Sequence, residues 1–257
     1  MGEAFPAIRS LVLVDPRRHR GVWRQFVAGQ RQCYERFGVA AASAEVDETG
    51  GDVWCVVALC GEAAVAGVRL HVKAPGRALP LERLLGGHPA LAQELHVRQA
   101  GGVAEVGGLW AAEDFAGTGI GGPVIAAAGA CAAAIPVRHL VSFAHHHNRF
   151  TRAVGFQPDA RLGVHPYPDE RYRSTVNWCD TFELSTAEPF VQRTIRQWCR
   201  HAVAGVPLPF ALFAREKEED RSGDSNREDA SHEAHGTGAP AARRRRRPAA
   251  RRVHQAT

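Results

Sequence analysis

Residues 117–122 read Gly-Thr-Gly-Ile-Gly-Gly and stand directly before a run of small apolar residues. A turn of this composition opening a helix offers several unpaired backbone N–H groups and the positive end of the helix dipole. Both suit a phosphate or pyrophosphate, and glycine lets such a ligand approach without a Cβ in the way. The six residues match G-x-G-x-x-G, but a dinucleotide turn follows its strand at once, and here residues 112–116 intervene. No Asp or Glu occurs between Asp114 and Asp159, so the ribose-binding acid about 20 residues on is missing. No G-K-[ST] follows either, which excludes the nucleoside-triphosphate loop. A Gly-rich loop that holds nothing is the bare alternative.

Three sets of titratable residues accompany the turn. Glu105 lies in AEVGGLW, among apolar or small neighbours. Partial burial would raise its pKa toward the range of a useful general base, and a static ion pair with an Arg, Arg69 included, is the other reading. Arg69 alternates with Val68 and Leu70 and is either functional or the solvent face of a half-buried strand. His145-His146-His147 closes a strand; consecutive strand residues face opposite ways, so the three do not share a metal, and no metal is expected. One of them, His145 or His147, could serve as acid or relay. Asp47 reads as an ordinary loop acid. The cysteines (33, 55, 60, 131, 179, 199) are scattered without C-x-x-C and read as packed thiols.

The elements that must position these residues follow from periodicity. Residues 8–14 are β-branched and Leu-rich, a strand. Asp15-Pro16 predicts an N-cap with Pro at the first helical position. Trp23, Phe26, Val27, Gln30, Cys33, Tyr34 and Phe37 then recur at helical spacing, with Gln30 a polar residue inside the stripe. Residues 53–59 and 64–72 form a hairpin around Gly61-Glu62. Short helices are expected within 82–96, a strand over 104–111, a buried helix over 119–135 ended by Pro136, and a strand over 140–144. A short helix over 148–154, a strand over 173–180 and an amphipathic helix over 189–202 complete the body. The order is that of a mixed α/β (α+β) sheet and not of a doubly wound one.

The chain of 257 residues is 45% apolar and 23% charged, ordinary globular values that allow a sizeable core. From residue 214 onward it is polar, charge-blocked and nearly free of large apolar groups, which predicts a disordered, Arg-rich tail over 214–257 beside a folded domain over 1–213. The net charge of +5 divides into +3 on the tail and +2 on the body, too little for a domain-wide nucleic-acid footprint. Weak nucleic-acid contact, or contact with anionic lipid, through the phosphates and Arg243–Arg247 with Arg251-Arg252 is the binding role expected of the tail beside that of a solvated end. No apolar run reaches the ~18 residues of a membrane span, and the N-terminus lacks a secretory pattern. A cytoplasmic protein is expected.

The strand–Gly turn–helix–strand unit over 104–144 resembles the acyl-CoA site of the GNAT N-acyltransferase superfamily, whose motif is Q/R-x-x-G-x-G/A. Gly119 and Gly121 match its two small positions, and Ala116 stands where Gln or Arg is usual. NRFTRAVGF (148–156) resembles the family's N-x-x-x-x-x-x-G-F ending, with Thr151 at the position where many members carry a Tyr acid. In the first half, RQCYERFGV (31–39), Asp47, AGVRL (66–70) and LPLE (79–82) look like the acyl-homoserine lactone synthases and N-acyl amino acid synthases.

The resemblance implies a GNAT-like fold, with a mixed, mostly antiparallel sheet, flanking helices and a splayed central strand that Gly107-Gly108 would suit. It implies transfer of an acyl group from acyl-CoA (acetyl-CoA or longer), or from an acyl carrier protein, to a small-molecule amine or amino acid. Leu109, Trp110 and Ala111 would pair with the pantetheine arm, and Gly117, Thr118, Gly119, Ile120, Gly121 and Gly122 would cradle the pyrophosphate. Glu105, Arg69 and His145 form the expected catalytic set. Position 108, an Arg in that branch, is Gly here. A GNAT-like module that binds an acyl or nucleotide ligand without turnover is the alternative.

Overall fold

The β-branched run after Ile8 forms a strand, β1 (Ser10–Val14), but the Asp15-Pro16 pair that follows does not begin a helix. The Asp15 carboxylate accepts from the Arg17 N–H (3.0 Å), and its carbonyl accepts from the N–H groups of Arg18 and His19 (3.1 and 2.8 Å). That local capture closes a turn, so α1 (Arg20–Arg36) starts four residues later than the sequence pattern suggests. Its buried face is Trp23, Phe26, Gln30 and Cys33, whereas Phe37 lies past the helix end and is exposed.

The computed structural model describes residues 8, 10–39, 52–146 and 148–208, all within one unit, Met1–Glu219. Asp47, His147 and the 214–257 tail lie outside the described residues. The expected hairpin is β2 (Val53–Cys60) and β3 (Ala63–Val72), turning through Gly61 at φ +62°. Two Pro-started helices follow, α2 (Pro80–Leu84) and α3 (Pro89–Arg98), then β4 (Val103–Ala111). The helix after the Gly turn, α4 (Gly121–Cys131), ends in a 3₁₀ turn over Ala132–Ala134. Next come β5 (His139–His145), α5 (Arg149–Ala153), β6 (Gln157–Pro158), β7 (Val164–Pro166), β8 (Arg173–Asp180), α6 (Pro189–Cys199) and β9 (Pro207–Leu208). Three of these strands, β6, β7 and β9, have no counterpart in the sequence pattern. They are two or three residues long, too short for a period-2 signal.

The strands form a single mixed sheet ordered β6-β8-β5-β4-β3-β2-β1-β9, with β7 also on β8. Among the described residues every pairing is antiparallel except β4 with β5. That parallel pairing runs only from Val103 to Val106 on β4, against His139 to Ser142 on β5. Beyond it β4 continues along β3 to Ala111, and β5 continues along β8 to His145. The central strand is therefore splayed, and its second half, 107–111, has an open edge toward β5.

Alternation along the strands builds two layers. Val68, Leu70, Ala104, Val106 and Leu140 pack beneath α4 and α6. α4 is apolar and buried nearly all round, as expected of a helix enclosed in a core. On the other face α1 covers Val12, Val14, Val57 and Trp110, and α2 and α3 cover Val103 and Val141. Arg69 and Glu105 belong to this second face.

Candidate active site

The opening between β4 and β5 begins at Gly107, and the charged residues of the sequence pattern converge there. Arg69 pairs with Gly107 in register, and His71 pairs with Glu105. Glu105 is only 6% exposed; its Oε2 accepts from the Leu81 N–H of α2 at 2.8 Å. Its Oε1 lies 3.8 Å from where a Cβ on Gly107 would stand, so this oxygen leans toward the open half of the strand. Burial pushes the Glu105 carboxyl up to about 7, against the Leu81 hydrogen bond and the nearby Arg83 and Arg69 charges. A carboxyl so placed is ready to exchange a proton near neutral pH.

Arg69 is 7% exposed, so it does not lie on a solvent face. Its Nε is buried without a hydrogen-bond partner, and among the described residues it forms no ion pair. The static Glu105–Arg69 ion pair is therefore absent: the two groups share the site without a salt bridge. Burial lowers the Arg69 pKa, opposed by Tyr34, Tyr167 and Glu105. A buried guanidinium with an unmet donor is costly unless a ligand supplies the acceptor. Burial and the Arg69 charge also drive the neighbouring His71 down to about 3, so it stays neutral at physiological pH.

Gly107 and Gly108 make the opening possible. The register slips between Gly67 and Arg69, where Gly108 and Leu109 together face the single residue Val68. Gly108 sits at φ +67° in this bulge, where a Cβ would overlap the Gln30 amide nitrogen and stand 2.9 Å from Arg69 Nε. The Arg that the resemblance places at this position would not fit.

The Gly turn faces the same opening from the α4 side. Gly117 and Gly119 have φ +77° and +83°, and the N–H groups of Gly117, Gly119, Ile120 and Gly121 donate to no described residue. Thr118 Oγ1 donates to Phe115 O at 2.8 Å, and Gly122 N–H to Gly119 O at 3.1 Å, which holds the loop against α4. A Cβ on Gly121 would stand 3.0 Å from Phe150 and 3.4 Å from Leu109, so the turn lies against the open strand. The predicted strand residues divide: Leu109 and Ala111 are half-buried, whereas the Trp110 ring is buried edge-on to Phe26, centroids 5.8 Å apart. Ala116 is exposed and extended just ahead of the turn.

His145 is not brought to Glu105. The partner of Glu105 on β5 is Val141, and His145 stands four residues further along, exposed, its ring 4.6 Å from that of His146. That is roughly 13 Å of extended strand. Thr151 is buried, with its hydroxyl donating to Asn148 O at 3.0 Å inside the α5 cap.

Two tyrosines complete the site. Tyr34 of α1 donates through its hydroxyl to Leu109 O at 3.3 Å, and burial pushes its pKa up to about 12. Tyr167, in the loop between β7 and β8, has its ring 5.2 Å from Phe143, the first residue of β5 past the last β4 pair. Burial and the Glu105 charge raise its pKa. Tyr34 carried a sequence signal, its place in the helical stripe; Tyr167 carried none.

No protein-family model and no curated protein sequence matches the chain. Solved structures do. FeeM, an N-acyl amino acid synthase from uncultured soil microbes, matches at TM-score 0.50 and 15% identity over 69% of this chain and 99% of that one. MesI, a CoA-dependent acyl-homoserine lactone synthase, matches at TM-score 0.50 and 16% identity over 76% and 97%. The chain shares their fold, the GNAT fold with its splayed mixed sheet.

Proposed function

We propose that the chain is an N-acyltransferase that moves an acyl group from a phosphopantetheine thioester to an amine. The observation that carries this reading is the opening of β4 from β5 after Val106, bordered at one end by the unpaired N–H groups of Gly117, Gly119, Ile120 and Gly121 and on the α1 face by Glu105. A pantetheine arm is a strand-like ligand whose amides can pair with the free edge of 107–111, and a pyrophosphate suits the turn. FeeM and MesI, whose names describe acyl transfer, support the reading by analogy of fold.

In the proposed chemistry the amine nitrogen attacks the thioester carbonyl, a C–N bond forms and the C–S bond breaks. The ionised Glu105 takes the proton released by the amine, directly or through one water, and the thiolate leaves to be protonated by Glu105 or solvent. Arg69, with its buried unmet donor, supports an acceptor that brings a carboxylate, an amino acid rather than a simple amine. His145, exposed at the outer end of β5 and four residues beyond the partner of Glu105, takes no part in this step.

Both CoA and an acyl carrier protein present the same phosphopantetheine arm. The test is free-thiol release from acetyl-CoA, longer acyl-CoAs and an acylated carrier, with a pool of amines and amino acids. Amide formation is expected, and Glu105→Gln should cut turnover by ~10²–10⁴-fold. Donor binding without turnover on any acceptor would favour the alternative, a non-catalytic ligand-binding module, for which the engaged Thr151 hydroxyl and the Ala at 116 speak.

A further inference from the structure

Gln30 is the polar member of the otherwise apolar buried face of α1. Its Nε2 donates to the carbonyl of Gly108 at 2.7 Å, and one turn later the Tyr34 hydroxyl donates to the carbonyl of Leu109 at 3.3 Å. Residues four apart share a helix face, so the two donors act side by side. Their acceptors are consecutive carbonyls of the β4 bulge, the two residues with no register partner on β3 and none on β5. Carbonyls that a regular ladder would hold in the sheet plane are instead held by α1.

A trans peptide is planar, with its C=O and N–H pointing opposite ways. Fixing the Gly108 carbonyl toward α1 therefore points the Leu109 N–H away from α1, toward the side on which α4 and the Gly turn lie. The Leu109 side chain is on that side as well, next to Gly121. Only glycine at 108 leaves room for the Gln30 amide.

We infer that Gln30 and Tyr34 are positioning residues, a clamp on the bulge that aims the Leu109 N–H at the thioester carbonyl and holds it there as negative charge develops. A donor fixed in advance stabilises that charge without reorganising, whereas an unclamped bulge would have to be ordered in each turnover. The inference rests on the acyl-transfer reading above.

The experiment is steady-state kinetics of the full chain carrying Gln30→Met, which keeps the side-chain length and removes the donor, and Tyr34→Phe. Gln30→Met should lower kcat by roughly 10–100-fold, at or below the range of a lost oxyanion donor, with KM for the thioester nearly unchanged. Tyr34→Phe should lower it less. Val22→Ala, two turns away on the same helix, serves as control: it loosens α1 but should leave kcat unchanged. The Leu109 amide resonance in the ligand-free protein should also move in Gln30→Met. Unchanged kcat in Gln30→Met, or an equal fall in Val22→Ala, would overturn the clamp. If the wild type turns over no thioester, the acyl-transfer reading fails and the clamp's catalytic role fails with it. In an active wild type, a Leu109 signal unmoved by Gln30→Met overturns the clamp alone.

Discussion

At the scale of the residue, Glu105 combines a chemical opportunity with a cost. Its carboxyl is released near pH 4.5 in an unfolded chain and near 7 in the folded one. Between those values the native state holds a proton that the unfolded state has lost, so rising pH favours unfolding, and the penalty is complete above about 7. The difference corresponds to about 3 kcal/mol. Glu105→Gln keeps an oxygen for the Leu81 N–H and removes the charge. It should therefore raise the thermal midpoint at pH 8 by on the order of 5–10 °C, and the gain should narrow by pH 5. Equal midpoints for both proteins at both pH values would show that the carboxyl is not buried as described. His71 acts in the opposite direction: its depressed pKa makes the native state lose stability as pH falls below about 6.5, where the unfolded imidazole takes up a proton. Of these groups the sequence displayed Glu105 and Arg69 through neighbours that alternate with them. It also displayed Gln30 as a polar interruption of an apolar stripe, but not what its amide reaches, because Gly108 is 78 residues away. Tyr167 sits in a loop without periodicity, and only the folded chain brings it to Phe143.

At the scale of the element, the unit from β4 through α4 to β5 sets up the site, and its weak point is the exposed Ala116 ahead of the turn. A guanidinium there would add a charge-assisted contact to a bound pyrophosphate, roughly 1.5–3 kcal/mol when well placed. Ala116→Arg should then tighten CoA about tenfold or more in isothermal titration, and the gain should shrink with added salt. A phosphopantetheinylated carrier, with one phosphodiester in place of the pyrophosphate, should gain less. No change for either ligand would show that the 117–122 turn does not cradle a phosphate. The long elements were legible because they are amphipathic or continuously apolar over many residues: β2, β3, β8, α4 and α6 lie where periodicity puts them, within a few residues. The start of α1 was not, because the Asp15 side chain serves the Arg17 N–H of a preceding turn rather than capping the helix. The splay was suggested by Gly107-Gly108, yet its limit at Val106 is a matter of pairing across 36 residues that no local pattern encodes.

At the scale of the whole molecule, the sheet separates two tasks. The α4 side offers backbone donors at a helix start, and the α1 side offers Glu105, Arg69 and two tyrosines, with the open half of β4 between them. The ligand-free protein thus has a gap in its sheet that a strand-like ligand would fill, so binding should order the gap before any chemistry occurs. Hydrogen–deuterium exchange with and without an acyl-CoA measures this directly, peptide by peptide. Slowed exchange is expected over 107–111 and 117–122 on adding the thioester, with little change over β1, β2 and α6. Unchanged exchange over both segments at saturating acyl-CoA, or protection confined to another part of the chain, would contradict it.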